Sequence, residues 1–362
     1  MRQIKRRDFM ETVGQAAVTI PAASAILTSN TQAASGKQKI KIGQIGLGHA
    51  HAKGVFAALG RVNEHFEIVG IVENDPIRRK TLGSTYQGVK VITEEQLLNT
   101  KGLQAVVVET EVRDLVPTAL RCINAGMHIH LDKPPGESLD AYRKLLDDAS
   151  RCKLAVQMGY IYRYNPAFQF CRQAVKDGWL GEIFEVHGVI SKTVGASSRK
   201  KLAQYDGGSM FEIGCHVIDA IISVLGKPDQ ITPYVRRTRP NQDTLADNQL
   251  AVFEYPKATV TMRSALIEVE GGQRRQFVVC GDKGTFDIRP LNQSNFRLVL
   301  DRPRGSYQRG YQEVKMSRGP GFVGDFLDLA AIIRGEQETD FPPSHDLAVH
   351  ESVLRASGYK VD

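Results

Sequence analysis

Two stretches of this 362-residue chain hold residues whose types and spacing could do chemistry. The first is Asp132-Lys133-Pro134-Pro135. The two prolines fix the turn after the lysine. Partly desolvated there, its amine could trade a proton with a hydroxyl. A lysine at the end of a strand is otherwise simply solvated. The second runs from Gly207 through Glu212 and His216 to Asp219. If it is helical, Glu212 and His216 share a face, with Asp219 one turn beyond. A carboxylate beside an imidazole can orient it and tune its pKa. The pair Gly207-Gly208 would let a substrate approach the backbone. The same pattern suits a buried polar pair in a helix, and the residues alone leave both readings open.

Elements must bring such groups together, and the first is a nucleotide-type turn. Lys39–Ile45 is an apolar, β-branched strand candidate that runs into Gly46-Leu47-Gly48-His49-Ala50-His51. A helix candidate follows, from about Ala50 to Val62. Strand, glycine turn and helix form the context of the dinucleotide fingerprint. Gly46 permits the tight turn, and Gly48 lets the backbone reach a pyrophosphate at the helix N-terminus. His51 stands where the third glycine belongs, so a plain glycine turn also fits. Phe66–Val72 is a second strand, ending in Glu73. A carboxylate there can accept both ribose hydroxyls and would repel a 2′-phosphate, which favours NAD. Arg78 and Arg79 keep NADP open, and Glu73 could also be a surface turn residue.

The alternation continues. Lys90–Ile92 reads as a short strand, and Thr93 with Gln96 forms a capping box. Strands follow at Gln104–Val108, Met127–Leu131 and Leu154–Met158, with helices at Val112–Ala125 and Leu139–Ala149. This is an α/β Rossmann pattern, a doubly wound parallel sheet. Its sites lie beyond the strands' carboxyl ends, where Gly46, Glu73, Thr110 and Lys133 fall. After Met158 the pattern changes to an α+β domain. Helix is expected at Gln169–Lys176. Strands are expected at Ile183–Ser191, Thr232–Arg237, Gln249–Tyr255, Thr259–Ala265, Gln276–Cys280, Thr285–Ile288 and Phe296–Leu300. Several alternate apolar and polar residues, as an open, mostly antiparallel sheet does. Gly321–Arg334 and Asp346–Ala356 read as closing helices. The expected division is 1–34 signal peptide, 35–158 Rossmann domain and 159–362 substrate-binding domain. One face of the second sheet would cover the cofactor and the other would join subunits into a homo-oligomer.

The N-terminus is read as a targeting segment. Lys5-Arg6-Arg7-Asp8-Phe9-Met10 precedes an uncharged, Ala-rich stretch from Val13 to Leu27, then small residues ending near Ala33-Ala34. That stretch is too short and mild for a stable membrane span. The layout is that of a signal peptide and resembles the twin-arginine type, so a periplasmic or otherwise exported protein is expected. Five cysteines without a C-x-x-C pair exclude a disulfide framework or a zinc ribbon, and no metal ligands are named. The net charge of +7 rests partly on short clusters at Arg199-Lys200-Lys201, Arg236-Arg237-x-Arg239 and Arg274-Arg275. None is interleaved with aromatics, so nucleic acid is not an expected partner. Solvated faces, or attraction for an anionic substrate, are the readings left.

In combination the motifs resemble the glucose–fructose oxidoreductase / inositol dehydrogenase (Gfo/Idh/MocA) family, over nearly everything after the signal. Besides the G-x-G turn, Asp132-Lys133-Pro134 matches the family's E-K-P, and Arg163-Tyr164-Asn165-Pro166 matches its R-[FY]-[NS]-P. Gly207 to His216 matches G-G-x-x-x-D-x-x-x-H. The resemblance implies Lys133 as the catalytic lysine beside the nicotinamide and His216 as general acid/base. It puts Glu212 in a supporting role and Arg163 near the cofactor and substrate mouth. Gly46, Leu47, Gly48, His49, Glu73, Thr110, Lys133 and Arg163 form the expected cofactor set. The implied activity is NAD(P)-dependent oxidation or reduction of a sugar or polyol, in an exported protein with tightly held cofactor. The alternatives are an NAD-using glycoside hydrolase and a non-catalytic sugar-binding homologue. Asp132 replaces a glutamate, Thr110-Glu111 stands where Thr-Pro is common, and Glu212 is one methylene longer than the usual aspartate.

Overall fold

The computed structural model describes residues 37–80 and 82–361; the signal peptide expected at 1–34 lies outside them. Parallel strands form where β-branched runs alternate with amphipathic helices, and five do so here. They are β1 (Ile40–Ile45), β2 (Phe66–Val72), β3 (Leu103–Val108), β4 (His128–Leu131) and β5 (Val156–Met158), in the order β2-β1-β3-β4-β5. Between them lie α1 (Ala52–Gly60), α2 (Pro76–Lys80), α3 (Glu94–Leu98), α4 (Val112–Asn124) and α5 (Leu139–Arg151). The capping box at Thr93 and Gln96 is present at the start of α3. The expected strand at Lys90–Ile92 is reduced to one bridge, Val91 to Ile71.

Register decides what the sheet presents. Ile45 pairs with Val72 on one side and Val108 on the other; Val108 pairs with Leu131, and Leu131 with Met158. The strands therefore end level, and the next residues (Gly46, Glu73, Glu109 and Asp132) line one edge. The crossovers diverge between β1 and β3, which makes that edge the crevice of a doubly wound sheet.

The second half contains α6 (Pro166–Lys176), β6 (Ile183–Ser191), α7 (Ala196–Leu202), a π-helical turn at Met210–Gly214, and α8 (Cys215–Leu225). Seven strands follow: β7 (Gln230–Arg236), β8 (Asn248–Glu254), β9 (Thr259–Ala265), β10 (Gln276–Gly281), β11 (Gly284–Ile288), β12 (Phe296–Leu300) and β13 (Gly310–Val314). With β6 they form one sheet, β13-β12-β11-β10-β6-β9-β8-β7, antiparallel except where β6 meets β9. Its inner face packs on the π-helical turn and α8. Two helices close the chain, α9 (Phe322–Ile333) and α10 (Pro343–Ser357).

Neither closing helix stays within the second domain. Phe326, Leu329 and Ala330 of α9 join Ile42, Val55, Leu59 and Val107 in the core on one face of the Rossmann sheet. Helix α10 packs against α8 and also α5. The boundary at Met158 marks the end of β5, while the Rossmann core is completed by residues more than 150 positions later. Each face of the first sheet is thereby covered, which suits the continuous apolar run Ala105–Val108 in β3. Among the described residues no helix is long and apolar enough to cross a membrane.

Candidate active site

The turn after β1 is built for close approach. Gly46 has φ +88°, and a Cβ there would lie 2.7 Å from the Thr110 nitrogen. A Cβ on Gly48 would meet the Glu111 side chain at 2.9 Å. No side chain caps the N-terminus of α1. Glu73 sits beside the turn, accepting the Leu47 N–H at 2.9 Å and the Arg78 Nε–H at 3.1 Å. A cleft of about 220 Å³ opens between Gly46, Gly48, Glu73, Arg78, Thr110 and Glu111. An uncapped helix start, a glycine turn and a carboxylate at the end of β2 fit the adenosine and pyrophosphate half of NAD(P).

Lys133 enters from the end of β4 and is 1% exposed. Its Nζ donates to the Glu212 carbonyl at 2.7 Å and lies 3.5 Å from Glu212 Oε1. The carbonyl is available because the chain at Met210–Gly214 winds as a π turn, which loosens the usual ladder. Burial works to lower the lysine's pKa, but Glu212, then Cys215 and Asp132, outweigh it and hold the ammonium above its ordinary value. His216 comes from the first turn of α8. Its ring stacks on His51 at 5.8 Å and meets Tyr160 and Tyr162 edge-on. Burial first, then the Lys133 charge, push its pKa well below the usual value, so the ring is neutral. The Ile161 N–H reaches His216 Nδ1 at 3.4 Å. A lysine from the Rossmann edge and a histidine from the second domain are thus both buried beside the dinucleotide turn, close enough for the lysine's charge to act on the imidazole.

Comparison with known proteins agrees with this arrangement. Residues 40–160 match the oxidoreductase-family model described as an NAD-binding Rossmann fold, and residues 168–287 match the GFO/IDH/MocA C-terminal domain. The chain belongs to the GFO/IDH/MocA oxidoreductase family. The oxidoreductase YhhX of Escherichia coli is 28% identical over 233 residues, which is 64% of this chain and 62% of that protein. The scyllo-inositol 2-dehydrogenase (NADP(+)) IolW of Bacillus subtilis is 22% identical over 85% of this chain and 84% of its own. D-glucoside 3-dehydrogenase of Escherichia coli is 26% identical over 52% of this chain and 55% of its own. Among solved structures, GenD2 from gentamicin A biosynthesis, in complex with NAD, has TM-score 0.73 at 19% identity, covering 94% of this chain and 96% of its own. An oxidoreductase from Thermotoga maritima has TM-score 0.72, also at 19% identity, covering 90% of this chain and 98% of its own. These likenesses show the fold.

Within this family frame several expected placements change. Arg163 does not reach a cofactor mouth. It is 1% exposed, with Nε and Nη2 donating to Asp219 at 2.7–3.2 Å and Nη2 also to Asp346. Its guanidinium lies over the Phe341 ring at 4.0 Å. Asp219 is thus committed to Arg163 and His345, not to His216. Glu212 pairs with Lys133 and not with His216, because the π turn displaces the four-residue spacing that a regular helix would give. Gly208, at φ +54°, serves packing: a Cβ would lie 2.1 Å from the Ala246 carbonyl oxygen, which leaves no room for substrate. The His49 side chain turns away from the turn's open side and is buried against Asp132. In the basic run at 199–201, Arg199 is buried and bound to Asp243 and Asp247 instead of solvated.

One residue of the edge was not anticipated. Glu109 follows β3 directly, is fully buried, and neither of its carboxyl oxygens meets a hydrogen-bond donor. Burial, then the Asp132 charge, raise its pKa well above the carboxylate range. The signal was its position one residue past an apolar strand, the same place that marked Glu73.

Proposed function

We propose that this protein is an NAD-dependent oxidoreductase acting on a CH–OH group of a sugar or polyol. The observation that carries the reading is that Lys133, at the carboxyl edge of the Rossmann sheet, and His216, stacked on His51 of the dinucleotide turn, lie near enough for the lysine's charge to act on the imidazole. NAD, when bound, supplies the hydride acceptor or donor. The Lys133 ammonium is placed to hold the substrate oxygen and stabilise negative charge on it. Glu212 keeps that ammonium charged and, through its carbonyl, aimed. Neutral His216 is the group able to take the hydroxyl proton. While Nδ1 accepts the Ile161 N–H the ring hydrogen sits on Nε2, which can donate to a substrate oxygen. The long Ile161 contact is weak enough to be given up, so that the hydrogen moves to Nδ1 and Nε2 is free to accept the hydroxyl proton. Tyr160, Tyr162 and His51 wall the imidazole and exclude water from it.

The carboxylate of Glu73 supports NAD over NADP, since Arg78 is already drawn to Glu73, Asp75 and Glu111. The names of the inositol and glucoside dehydrogenases support a polyhydroxylated substrate. Val299 and Tyr311, paired across β12 and β13 and both exposed, give the second sheet an apolar outer patch that suits a second copy of the chain. Arg6-Arg7 and the apolar stretch after them support export.

Incubating the purified protein with free sugars, polyols and glycosides tests the reading. Net NADH formation from a polyol or sugar supports it. Release of sugar from a glycoside with no net cofactor change would make the protein a redox-cycling hydrolase. Ligand binding with neither product would leave a binding protein.

A further inference from the structure

Beside the Lys133–His216 pair lies a group of side chains of which the proposed reaction uses only the His51 ring, as a wall of the imidazole. His49 Nε2 is 3.1 Å from the Lys133 carbonyl oxygen. A carbonyl only accepts, so Nε2 carries the ring hydrogen and Nδ1 keeps a lone pair. That lone pair faces Asp132 Oδ2 at 2.8 Å. The His51 N–H also reaches Nδ1, at 3.2 Å, a long contact that does not screen the nearer carboxylate. His51 Nδ1 stands 3.1 Å from Asp132 Oδ1, which already receives the Lys133 N–H at 2.7 Å. Glu109 closes the group: its Oε2 lies 3.7 Å from His49 Nδ1, and both of its oxygens are buried without a donor. A lone pair and a carboxylate oxygen held at 2.8 Å repel unless a cation lies between them. That cation is either a second proton or a metal ion.

We propose that His49 Nδ1, His51 Nδ1 and Asp132 bind one divalent ion of the zinc class, with Glu109, whose Oε2 is 3.7 Å from His49 Nδ1, the neighbouring carboxylate that moves in to complete the shell. The His and Asp ligand atoms all lie within 4.8 Å of one another. Metal–ligand bonds of about 2.1 Å at tetrahedral angles put ligand atoms about 3.4 Å apart. His49 Nδ1 lies 2.8 Å from Asp132 Oδ2 and 3.7 Å from Glu109 Oε2, on either side of that value, and His51 Nδ1 is 3.1 Å from the other Asp132 oxygen. Two imidazoles with two carboxylates suit zinc better than calcium or magnesium, which prefer oxygen alone. The His49 Nε2–H to the Lys133 carbonyl is the outer hydrogen bond that a metal-bound histidine usually makes. The other acid–histidine cluster among the described residues, Asp219, His345 and Asp346, already has its cation in the Arg163 guanidinium. Around His49 and Asp132, no Lys or Arg side chain takes that place among the described residues: Lys133 Nζ is committed to Glu212. Because both sides of the Lys133 peptide are held by these ligands, the ion would clamp the segment that carries the lysine. The metal-binding test does not depend on the reaction proposed above, because it reads zinc retention and the cobalt spectrum and not turnover.

The test uses the full chain, stripped with chelator, re-equilibrated with Zn2+ or Co2+ and gel-filtered. The proposal expects one zinc retained per chain and a thermal midpoint raised by the metal. It also expects the intense visible absorption of four-coordinate cobalt. His51 is the most exposed ligand, so His51→Gln should fold and should lose at least tenfold in zinc affinity. Glu109→Gln, which keeps shape and removes charge, should do the same, and serves if the His51 variant does not fold. Failure to retain stoichiometric zinc, or a weak six-coordinate cobalt spectrum, would overturn the proposal and leave a proton as the cation. Equal zinc affinity in the variants and the parent would overturn it too.

Discussion

Replacing Arg163 with leucine separates two roles that the sequence motif alone confounds. The side chain is 1% exposed and donates four hydrogen bonds to two buried carboxylates, Asp219 and Asp346. It also covers the face of Phe341. Asp219 feels burial, which raises its pKa, and the Arg163 charge, which overcomes it and brings the carboxyl down to about 2. Arg163→Leu leaves both carboxylates buried, with His345 and the more distant Arg172 charge to offset them. Removing one partner of a buried pair costs about 3–5 kcal/mol. For a chain of this size that corresponds to a fall of about 4–7 °C in the unfolding midpoint. Adding Asp219→Asn to the variant should recover part of the loss, because it removes one stranded charge. Differential scanning calorimetry measures the midpoint, and fluorescence titration measures NAD affinity, which should stay within about twofold. A variant as stable as the parent but with NAD binding weakened tenfold would refute the buried-pair assignment and return Arg163 to the cofactor mouth.

Three further outcomes are expected. Glu73→Ser should erase the preference for NAD, read as converging NAD and NADP affinities; an unchanged ratio would mean that Glu73 does not meet the ribose. His350 lies buried against Tyr142, and burial brings its pKa down to about 3. Between pH 6.5 and about 3 the unfolded chain binds a proton that the folded chain does not, so stability falls as pH drops through that window, by on the order of 4–5 kcal/mol for this residue. His350→Phe should flatten that slope in denaturant titrations, and an unchanged slope would count against it. Arg6→Lys with Arg7→Lys should leave the protein folded in the cytoplasm of a fractionated bacterial host, and arrival in the periplasm would contradict the twin-arginine reading.

The parts of the molecule that sequence made legible are those set by local periodicity. The run into Gly46-Leu47-Gly48, the strand ending in Glu73 and the capping box at Thr93 depend on neighbours within a few residues. Lys133 and Glu73 were placed at the sheet's edge because strand ends are visible in the pattern. Pairings across the chain were not legible. Arg163 meets Asp219 and Asp346 from 56 and 183 residues away, and nothing local distinguishes it from a solvated arginine. The partnership of Glu212 with Lys133 was hidden by the π turn, since a four-residue spacing reads as one face only if the helix is regular. Phe322–Ile333 reads correctly as a helix, but its packing on the first domain depends on how the core of the Rossmann sheet closes. Glu109 could have been found by extending to β3 the rule that singled out Glu73, once level strand ends are assumed.

The central claim, that Lys133 and His216 serve hydride transfer on a hydroxyl at an NAD site, is tested most directly by single-turnover kinetics. Protein loaded with NAD is mixed with an oxidisable sugar or polyol, and NADH absorbance is followed in the parent, in Lys133→Met and in His216→Asn. Each substitution should slow NADH formation by about 100-fold or more, the scale of a positioned acid or base, and the double variant should lose less than the product of the two. NAD affinity should hold in all three. Parental rates of NADH formation in either single variant would contradict the account.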